Sequence, residues 1–191
     1  MISKLKSYSA MIPSGITWLG DIPEKWEVRR LRASVRSSLT GVWGFDPNGR
    51  DDIDCVRVAD FDRFARRVRS RTFTLRAVPE SMRAGRLLHR GDLLIEKSGG
   101  GELQPVGAVV LYDRNEQAVC SNFIARLASN QGYLPTYLAY LHATLYSLGL
   151  NIRSIKQTTG IQNLDGQAYL NEYVAFPYSR PLLHRTRSNR D

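Results

Sequence analysis

Cysteine and histidine are scarce in this chain of 191 residues, and their scarcity excludes several kinds of site. The two cysteines, Cys55 and Cys120, stand far apart and outside any C-x-x-C context, so neither a disulfide framework nor a thiolate metal site is indicated. The three histidines, His89, His142 and His184, are scattered and form no H-x-x-x-H or H-E-x-x-H frame. We therefore expect no metal, no other cofactor and a reducing, cytoplasmic location.

Long apolar runs and catalytic motifs are also missing. No segment approaches the ~18 consecutive apolar residues of a membrane span, and the initial MISKLKSYSA has no uninterrupted apolar run, so we expect no membrane partner. The sequence contains no nucleophile elbow G-x-S-x-G, and neither an acid cluster nor a D-x-n-E-x-K nuclease frame stands out. The chain is therefore not expected to be an enzyme.

Acidic residues are outnumbered, with 18 Asp and Glu against 27 Lys and Arg, which gives a formal net charge of +9. A hydrophobic content of 42% is ordinary for a globular protein. The surface must then carry a positive field that attracts phosphate, anionic lipid or an acidic partner. Nucleic acid is the leading candidate for that partner.

Apolar periodicity predicts a single α+β domain with a twisted, mostly antiparallel sheet and a few helices. Period-two patterns favour strands at residues 53–60, 106–112, 122–129 and 173–177. One helix should begin near Pro135 and stop at Gly149, with its core face formed by Leu138, Leu141, Leu145 and Leu148. His142 lies on this helix and is interpreted as structural. The domain is expected to span residues 1–177, and residues 178–191 lack periodicity and are expected to be disordered.

An arginine-rich run follows the strand at 53–60 and is a candidate DNA contact. Arginine has a rigid fork of donors that suits guanine edges as well as phosphate. The same run is also compatible with a solvated strand, or with internal pairing to Asp60 and Asp62. Its candidate contacts, which surround Phe61, Phe64 and Phe73, are Arg63, Arg66, Arg67, Arg69 and Arg71.

A triple glycine gives a second candidate segment. It lacks the Gly-Lys-Ser/Thr ending of a P-loop, which disfavours nucleotide binding, and its simplest interpretation is a hairpin connection. Glycines also let backbone amides approach a phosphate or a base edge, while neighbouring side chains supply hydrogen bonds. The candidate contacts here are Lys97, Ser98, Gly99, Gly100 and Gln104.

The third candidate segment, residues 156–164, is unusually polar. Its amide side chains match an adenine edge, its lysine suits phosphate, its threonines suit backbone or thymine contacts, and its glycine permits close approach. Alternatively, Thr158 or Thr159 caps a short helical turn, with Ile161 and Leu164 as anchors in either case. The candidate contacts are Lys156, Gln157, Thr158, Thr159, Gly160, Gln162 and Asn163.

Four stretches resemble the target recognition domain of type I restriction-modification specificity subunits. They are SGITWLGDIPEKWEVRRL from Ser14, GDLLIEKSGGGELQPVGAVVLY from Gly91, YLPTYLAYLHA from Tyr133 and TTGIQNLDGQAYLNEYVAFP from Thr158. Their order and spacing agree with that family from about Ser14 to Pro177. The resemblance implies a non-catalytic domain that reads one half of a split double-stranded DNA target, with residues 156–164 in a DNA-facing loop region.

The same resemblance implies protein partners. In that family a methyltransferase subunit, which uses S-adenosylmethionine to methylate adenine, docks on long helices of the specificity subunit, and a restriction subunit joins for cleavage. This sequence departs from the pattern after Pro177, where YSRPLLHRTRSNRD replaces the expected long coiled-coil helix and second recognition domain. We expect a chain truncated after one domain. A general RNA-binding domain is the alternative.

Overall fold

The computed structural model describes residues 8–69, 72–158 and 160–177. Arg71, Thr159 and the segment 178–191, for which disorder was expected, lie outside these residues. The described chain forms three helices, α1 (Glu80–Arg83), α2 (Pro135–Ser147) and α3 (Gly166–Leu170). Its strands are β1 (Met11–Pro13), β2 (Asp21–Pro23), β3 (Trp26–Arg30), β4 (Val35–Thr40), β5 (Asp52–Val56), β6 (Phe61–Asp62), β7 (Arg67–Val68), β8 (Thr74–Ala77), β9 (Leu93–Glu96), β10 (Ser98–Gly99), β11 (Val109–Leu111), β12 (Ala118–Cys120), β13 (Ile124–Ser129), β14 (Ile155–Thr158), β15 (Ile161–Leu164) and β16 (Tyr173–Pro177).

A six-stranded sheet, in the order β4-β13-β9-β11-β7-β6, forms the centre of the fold. The described residues also form two three-stranded sheets, β12-β5-β8 and β10-β15-β14, two strand pairs, β1-β2 and β16-β3, and an isolated bridge between Phe45 and Ala77. Only the β7–β11 and β5–β12 pairs are parallel there. The predicted α+β fold with mostly antiparallel strands is thereby confirmed.

Strand β9, in the middle of the central sheet, is buried on both faces, and its sequence shows how this is achieved. Successive side chains of a strand point to opposite faces. Leu93 and Ile95 accordingly pack in the cluster that includes α2 and α3, whereas Leu94 packs in a second cluster with residues of β5 and β12. A strand buried on both sides reads as a continuous apolar run, which is what the sequence LLI provides.

Two predicted strands are shorter than their apolar patterns indicated. The strand predicted at 53–60 ends at Val56 and gives way to a 3-10 turn at Val58–Asp60, where the Asp60 carboxylate accepts a hydrogen bond from Arg57 N–H at 2.7 Å. The strand predicted at 106–112 comprises Val109–Leu111, since side chains rather than a strand bind the backbone of Val106.

Helix α2 begins and ends where the sequence predicted, with Pro135 in its first turn and Gly149, at φ +68°, just beyond it. Leu138 and Leu145 are fully buried and Leu141 is half-buried, as predicted. The prediction for Leu148 was wrong: its side chain is 54% exposed because the helix ends at Ser147 and the residue no longer follows the buried face.

His142, on the same helix, has the structural role that the sequence suggested. Its ring is fully buried, and Nδ1 lies 2.7 Å from the hydroxyl of Tyr169 in α3. Burial without a compensating charge lowers the pKa of His142 to about 4, so the ring is neutral at physiological pH. The pair joins α2 to α3 and thus holds α3 in place directly after β15.

We expect Leu138→Ala to lower the free energy of unfolding by ~2 to 5 kcal/mol, since it removes a fully buried side chain and leaves a cavity. Leu148→Ala is the matched control and should cost less than about 0.5 kcal/mol because Leu148 is largely exposed. Urea unfolding of both variants measures the difference. Equal costs would contradict the orientation of α2.

Candidate nucleic-acid interface

Two polar segments that are far apart in the sequence form one sheet in the structure. The glycine segment supplies β10, and the polar segment forms the hairpin β14–β15, so the sheet order is β10-β15-β14. The expectation that residues 156–164 form a loop region is therefore wrong, because they pair as antiparallel strands. The cap alternative rests on Thr158 or Thr159, and Thr159 lies outside the described residues; the helical turn after β15 is capped by Asp165, which accepts from Gln167 and Ala168 N–H.

A row of polar side chains crosses this sheet on one face. Lys156 is opposite Asn163, and Asn163 is opposite Ser98, so all three side chains point the same way. The Ser98 hydroxyl donates to Asn163 Oδ1 at 2.6 Å, which fixes the orientation of that amide. Lys156 and Asn163 are exposed. We call these three residues the polar row.

Lys156 has an internal partner as well as an exposed position. Its Nζ donates to Asp165 Oδ2 at 2.7 Å, and this hydrogen bond holds the pKa of Asp165 below its usual range. Exposed ion pairs of this kind contribute little stability. A phosphate can therefore take the place of Asp165 at small cost.

Gln162 and Ile161 exchange the roles that the sequence suggested. Ile161 was expected to anchor the segment to the core, but its side chain is 52% exposed at the end of the hairpin. Gln162 was expected to present its amide fork to a base, but it is only 8% exposed and its Oε1 accepts from Val106 N–H at 3.2 Å. The hairpin is thus held by Gln162 and by Leu164, which is buried as expected.

The glycine loop between β10 and β11 turns sharply beneath this sheet. Gly100 has φ +61°, and a Cβ there would stand 2.9 Å from Val106 N, so both the conformation and the space require glycine. Gly101 N–H donates to the Gln104 carbonyl at 3.0 Å, and the Gln104 side chain is exposed. Since β9 and β11 pair in antiparallel fashion, the interpretation of this segment as a hairpin connection is confirmed.

Side chains from three other parts of the chain hold the end of this loop. Arg63 donates to Glu96 Oε2 at 2.8 Å and to the Tyr146 hydroxyl at 3.1 Å, and Tyr146 in turn donates to the Pro105 carbonyl at 2.9 Å. Asn151 Nδ2 donates to the Val106 carbonyl at 2.7 Å. Together with Gln162, these side chains fix Pro105 and Val106; we call the set the loop clamp.

Lys97 does not join the polar row. As the neighbour of Ser98 along the strand it points to the opposite face, where it is half-buried in a recess that Tyr169 also lines. Burial raises the pKa of the adjacent Glu96, whereas the nearby Arg63 acts to lower it. The glycine segment therefore divides its charged side chains between two faces.

The arginine run is distributed over several partners. Arg63 belongs to the loop clamp, the guanidinium of Arg66 lies 4.0 Å from the centre of the Tyr140 ring, and Arg67 pairs with Asp113 at 2.8 Å. Arg67 and Arg69 line a separate recess. These contacts come from residues distant in the sequence. Of the run, the structure brings Arg63 to the glycine loop; Arg71 lies outside the described residues.

A recess of about 510 Å³ beside β10 contains residues that the sequence did not single out. Trp43, Phe123 and Arg57 line it, together with Glu96 and Ser98. The recess is formed by the pairing of β5 with β12, which are far apart in the sequence. No local sequence pattern could therefore indicate it. For Glu96 the sequence contained one indication of a functional role, a carboxylate at the end of an apolar strand.

Within the part of the chain that the structure describes, no three His, Cys, Asp or Glu side chains group as they would around a metal ion. The described helices include none of sufficient length and apolar character to cross a membrane.

Solved structures of type I restriction-modification proteins share this fold. A chain from a study of complex assembly and conformational transition of the type I R-M system matches with a TM-score of 0.51 and 17% identity, over 83% of this chain and 35% of that one. The S subunit of a type I system from M. genitalium matches with a TM-score of 0.51 and 11% identity, over 79% and 34%. The HsdS subunit from Thermoanaerobacter tengcongensis matches with a TM-score of 0.47 and 18% identity, over 83% of this chain and 34% of that one.

These likenesses show the fold alone, which this chain shares with about a third of each type I restriction-modification chain. The chain spans about a third of the length of the solved chains that it matches. Searches against protein-family models and curated proteins find no match.

Gln162→Ala should lower the free energy of unfolding by ~1 to 3 kcal/mol, because it leaves the buried N–H of Val106 without its acceptor. Gln157→Ala is the matched control, since Gln157 lies directly opposite Gln162 but is exposed, and it should cost less than about 0.5 kcal/mol. Chemical unfolding measures both. Similar costs for the two variants would count against the loop clamp.

Proposed function

We propose that this chain is a non-catalytic, sequence-specific double-stranded DNA-binding domain that reads one half of a bipartite target for a type I restriction-modification complex. Residues 1–177 would form the target recognition domain. The polar row carries this proposal: an exposed lysine and an oriented asparagine stand side by side on a two-stranded hairpin in a chain of net charge +9. The type I fold supports it.

The hairpin has the right chemistry and shape for a DNA groove. The major groove of B-DNA admits a two-stranded β-ribbon, and asparagine is a preferred reader of adenine. We assign phosphate contact to Lys156 and base contact to Asn163; Gln157 lies opposite Gln162, on the other face of the hairpin, and is assigned no base contact. Gly160, at φ +85°, lets the end of the hairpin approach the duplex closely.

The glycine loop extends this surface, and the arginine run offers a separate basic recess. Ser98, Gly99, Gly100 and Gln104 would meet the backbone beside the hairpin, since β10 is its direct neighbour. We assign secondary phosphate contacts to the exposed Arg67 and Arg69. Gln162 is assigned a positioning role because it is buried.

Protein partners follow from the same proposal. A complete type I assembly adds a methyltransferase subunit and, through it, a restriction subunit. One of the matched chains comes from a study of such an assembly. We infer that this domain supplies target reading to that complex and that the methyltransferase subunit supplies the adenine chemistry. An RNA-binding role is not favoured, and single-stranded RNA should compete poorly with duplex DNA.

The proposal predicts that the purified protein selects a short motif from a randomised duplex pool. Binding should weaken steeply as salt is raised, because each neutralised phosphate releases counterions. Recovery of the motif should sharpen at the higher of two salt concentrations. DNA binding that does not change with salt would contradict a surface that contacts phosphates. DNA binding that weakens with salt but selects no motif would contradict sequence reading by this domain alone.

Two variants should separate phosphate contact from base contact on the selected duplex. Lys156→Ala should weaken binding about equally on all sequences and reduce the salt slope by about 1, whereas Asn163→Ala should relax preference at one position by roughly 1 to 3 kcal/mol. Lys25→Ala is the control, since Lys25 is an exposed lysine in the turn between β2 and β3. Fluorescence anisotropy measures the affinities. Unchanged binding by both hairpin variants would move the interface elsewhere.

A further inference from the structure

The recess beside β10 has the features of a binding site. Glu96 is the one residue that it shares with the loop clamp. Its volume of about 510 Å³ lies within the range typical of small-molecule sites, ~300 to 1,000 Å³. Two large aromatic side chains line it and are partly exposed, Trp43 at 36% and Phe123 at 45%. Exposed aromatic rings at a recess are suited to stacking on a planar ligand.

Other residues hold the Trp43 side chain and the Phe123 backbone in place. The guanidinium of Arg76 stacks on the Trp43 ring, 4.5 Å from its centre, and Arg76 is itself fixed by Asp46 at 2.7 Å. Arg76 does not line the recess, so it supports the indole from outside. The Phe123 carbonyl accepts from Lys97 and Ser98 N–H, which ties the other aromatic residue to β10.

A buried carboxylate gives the recess its polar specificity. Glu96 is only 3% exposed, and Arg63 binds its Oε2. Oε1 lies 3.9 Å from the position of a Cβ on Gly99, which also lines the recess, and within the described residues this oxygen has no hydrogen-bond partner. A carboxylate oxygen accepts hydrogen bonds, so it selects a ligand that offers an N–H donor. At the rim, Arg57 has a side chain 44% exposed and suits a phosphate.

We propose that this recess binds a single unstacked nucleobase of the bound DNA, with the base against Trp43 and Phe123, its exocyclic amino group donating to Glu96 Oε1, and its phosphate at Arg57. The inference rests on the proposed function and adds a second reading element, since the polar row meets bases that remain paired. Adenine, cytosine and guanine carry an exocyclic amino group, whereas thymine offers only its ring N3–H, which lies between two carbonyl oxygens that a carboxylate repels. The recess should thus discriminate against thymine.

A fluorescent nucleotide tests the recess without any need for the target sequence. The probe is 2-aminopurine deoxyribonucleoside 5′-monophosphate, whose emission is quenched when it stacks on aromatic rings, titrated against the full chain. We expect saturable quenching, and competition by dAMP, dCMP and dGMP that is stronger than competition by TMP. Phe123→Ala should weaken probe binding at least about fivefold, because one stacking surface is lost.

Phe64→Ala is the matched control, since Phe64 is 93% exposed and does not line the recess, and it should leave probe binding unchanged. Glu96→Gln is the second variant; because an amide donates as well as accepts, it should bring TMP closer to the other nucleotides. The absence of saturable quenching, or equal effects of Phe123→Ala and Phe64→Ala, would overturn the inference.

Duplex binding, measured in parallel on the selected DNA, separates this inference from the proposed function. If duplex binding is intact but the mononucleotide does not bind, the recess inference fails and the proposed function stands. If the mononucleotide binds but no duplex does, the proposed function fails, and with it the assignment of the base to DNA. Preserved duplex binding that weakens in Phe123→Ala but not in Phe64→Ala would support both.

Discussion

The candidate interface depends on one constraint: hydrogen bonds hold the backbone of two consecutive residues, Pro105 and Val106, in place. The Pro105 carbonyl accepts a hydrogen bond from Tyr146 in α2, and the Val106 carbonyl accepts one from Asn151 in the segment after α2. Val106 N–H donates to Gln162 in the hairpin. Unpaired buried backbone groups are costly, so each of these hydrogen bonds matters more than its own strength suggests. Through them the glycine loop, the hairpin and α2 take up one arrangement, and the polar row is a consequence of that arrangement.

The positive charge of the chain is organised by the same packing. An arginine run looks in sequence like one continuous basic surface, but in the structure Arg63 neutralises a buried carboxylate and Arg67 pairs with Asp113. The buried Glu96 is tolerated because the half-buried Arg63 pairs with it, and Arg63 also donates a hydrogen bond to the Tyr146 hydroxyl. The exposed lysine of the hairpin lies in the same sheet as β10, which borders the aromatic recess. Such a surface combines phosphate attraction with defined positions for base contact.

Elements that depend on local residue preferences could be predicted from the sequence, whereas elements that depend on contacts between distant residues could not. Pro135 and Gly149 delimit a helix by their own conformational preferences, so α2 could be predicted from the sequence. The hairpin could not, since Gln and Asn have little preference for strands and β15 is stabilised by pairing with β10 more than sixty residues earlier. For the same reason the burial of Gln162 and the exposure of Ile161 were missed: the partner that reverses their roles is the backbone of Val106. Trp43 and Phe123 gave no local signal at all.

Amide hydrogen exchange of the full chain, with and without the duplex recovered by selection, tests the central claim most directly. If the three-stranded sheet is the DNA-reading face, then DNA should slow exchange in residues 98–104 and in residues 155–164 together, because β10 and β15 are neighbours in one sheet. The interior of α2 should be unaffected by DNA. Slowed exchange confined to the β6–β7 hairpin and its recess, with the three-stranded sheet unchanged, would contradict the account.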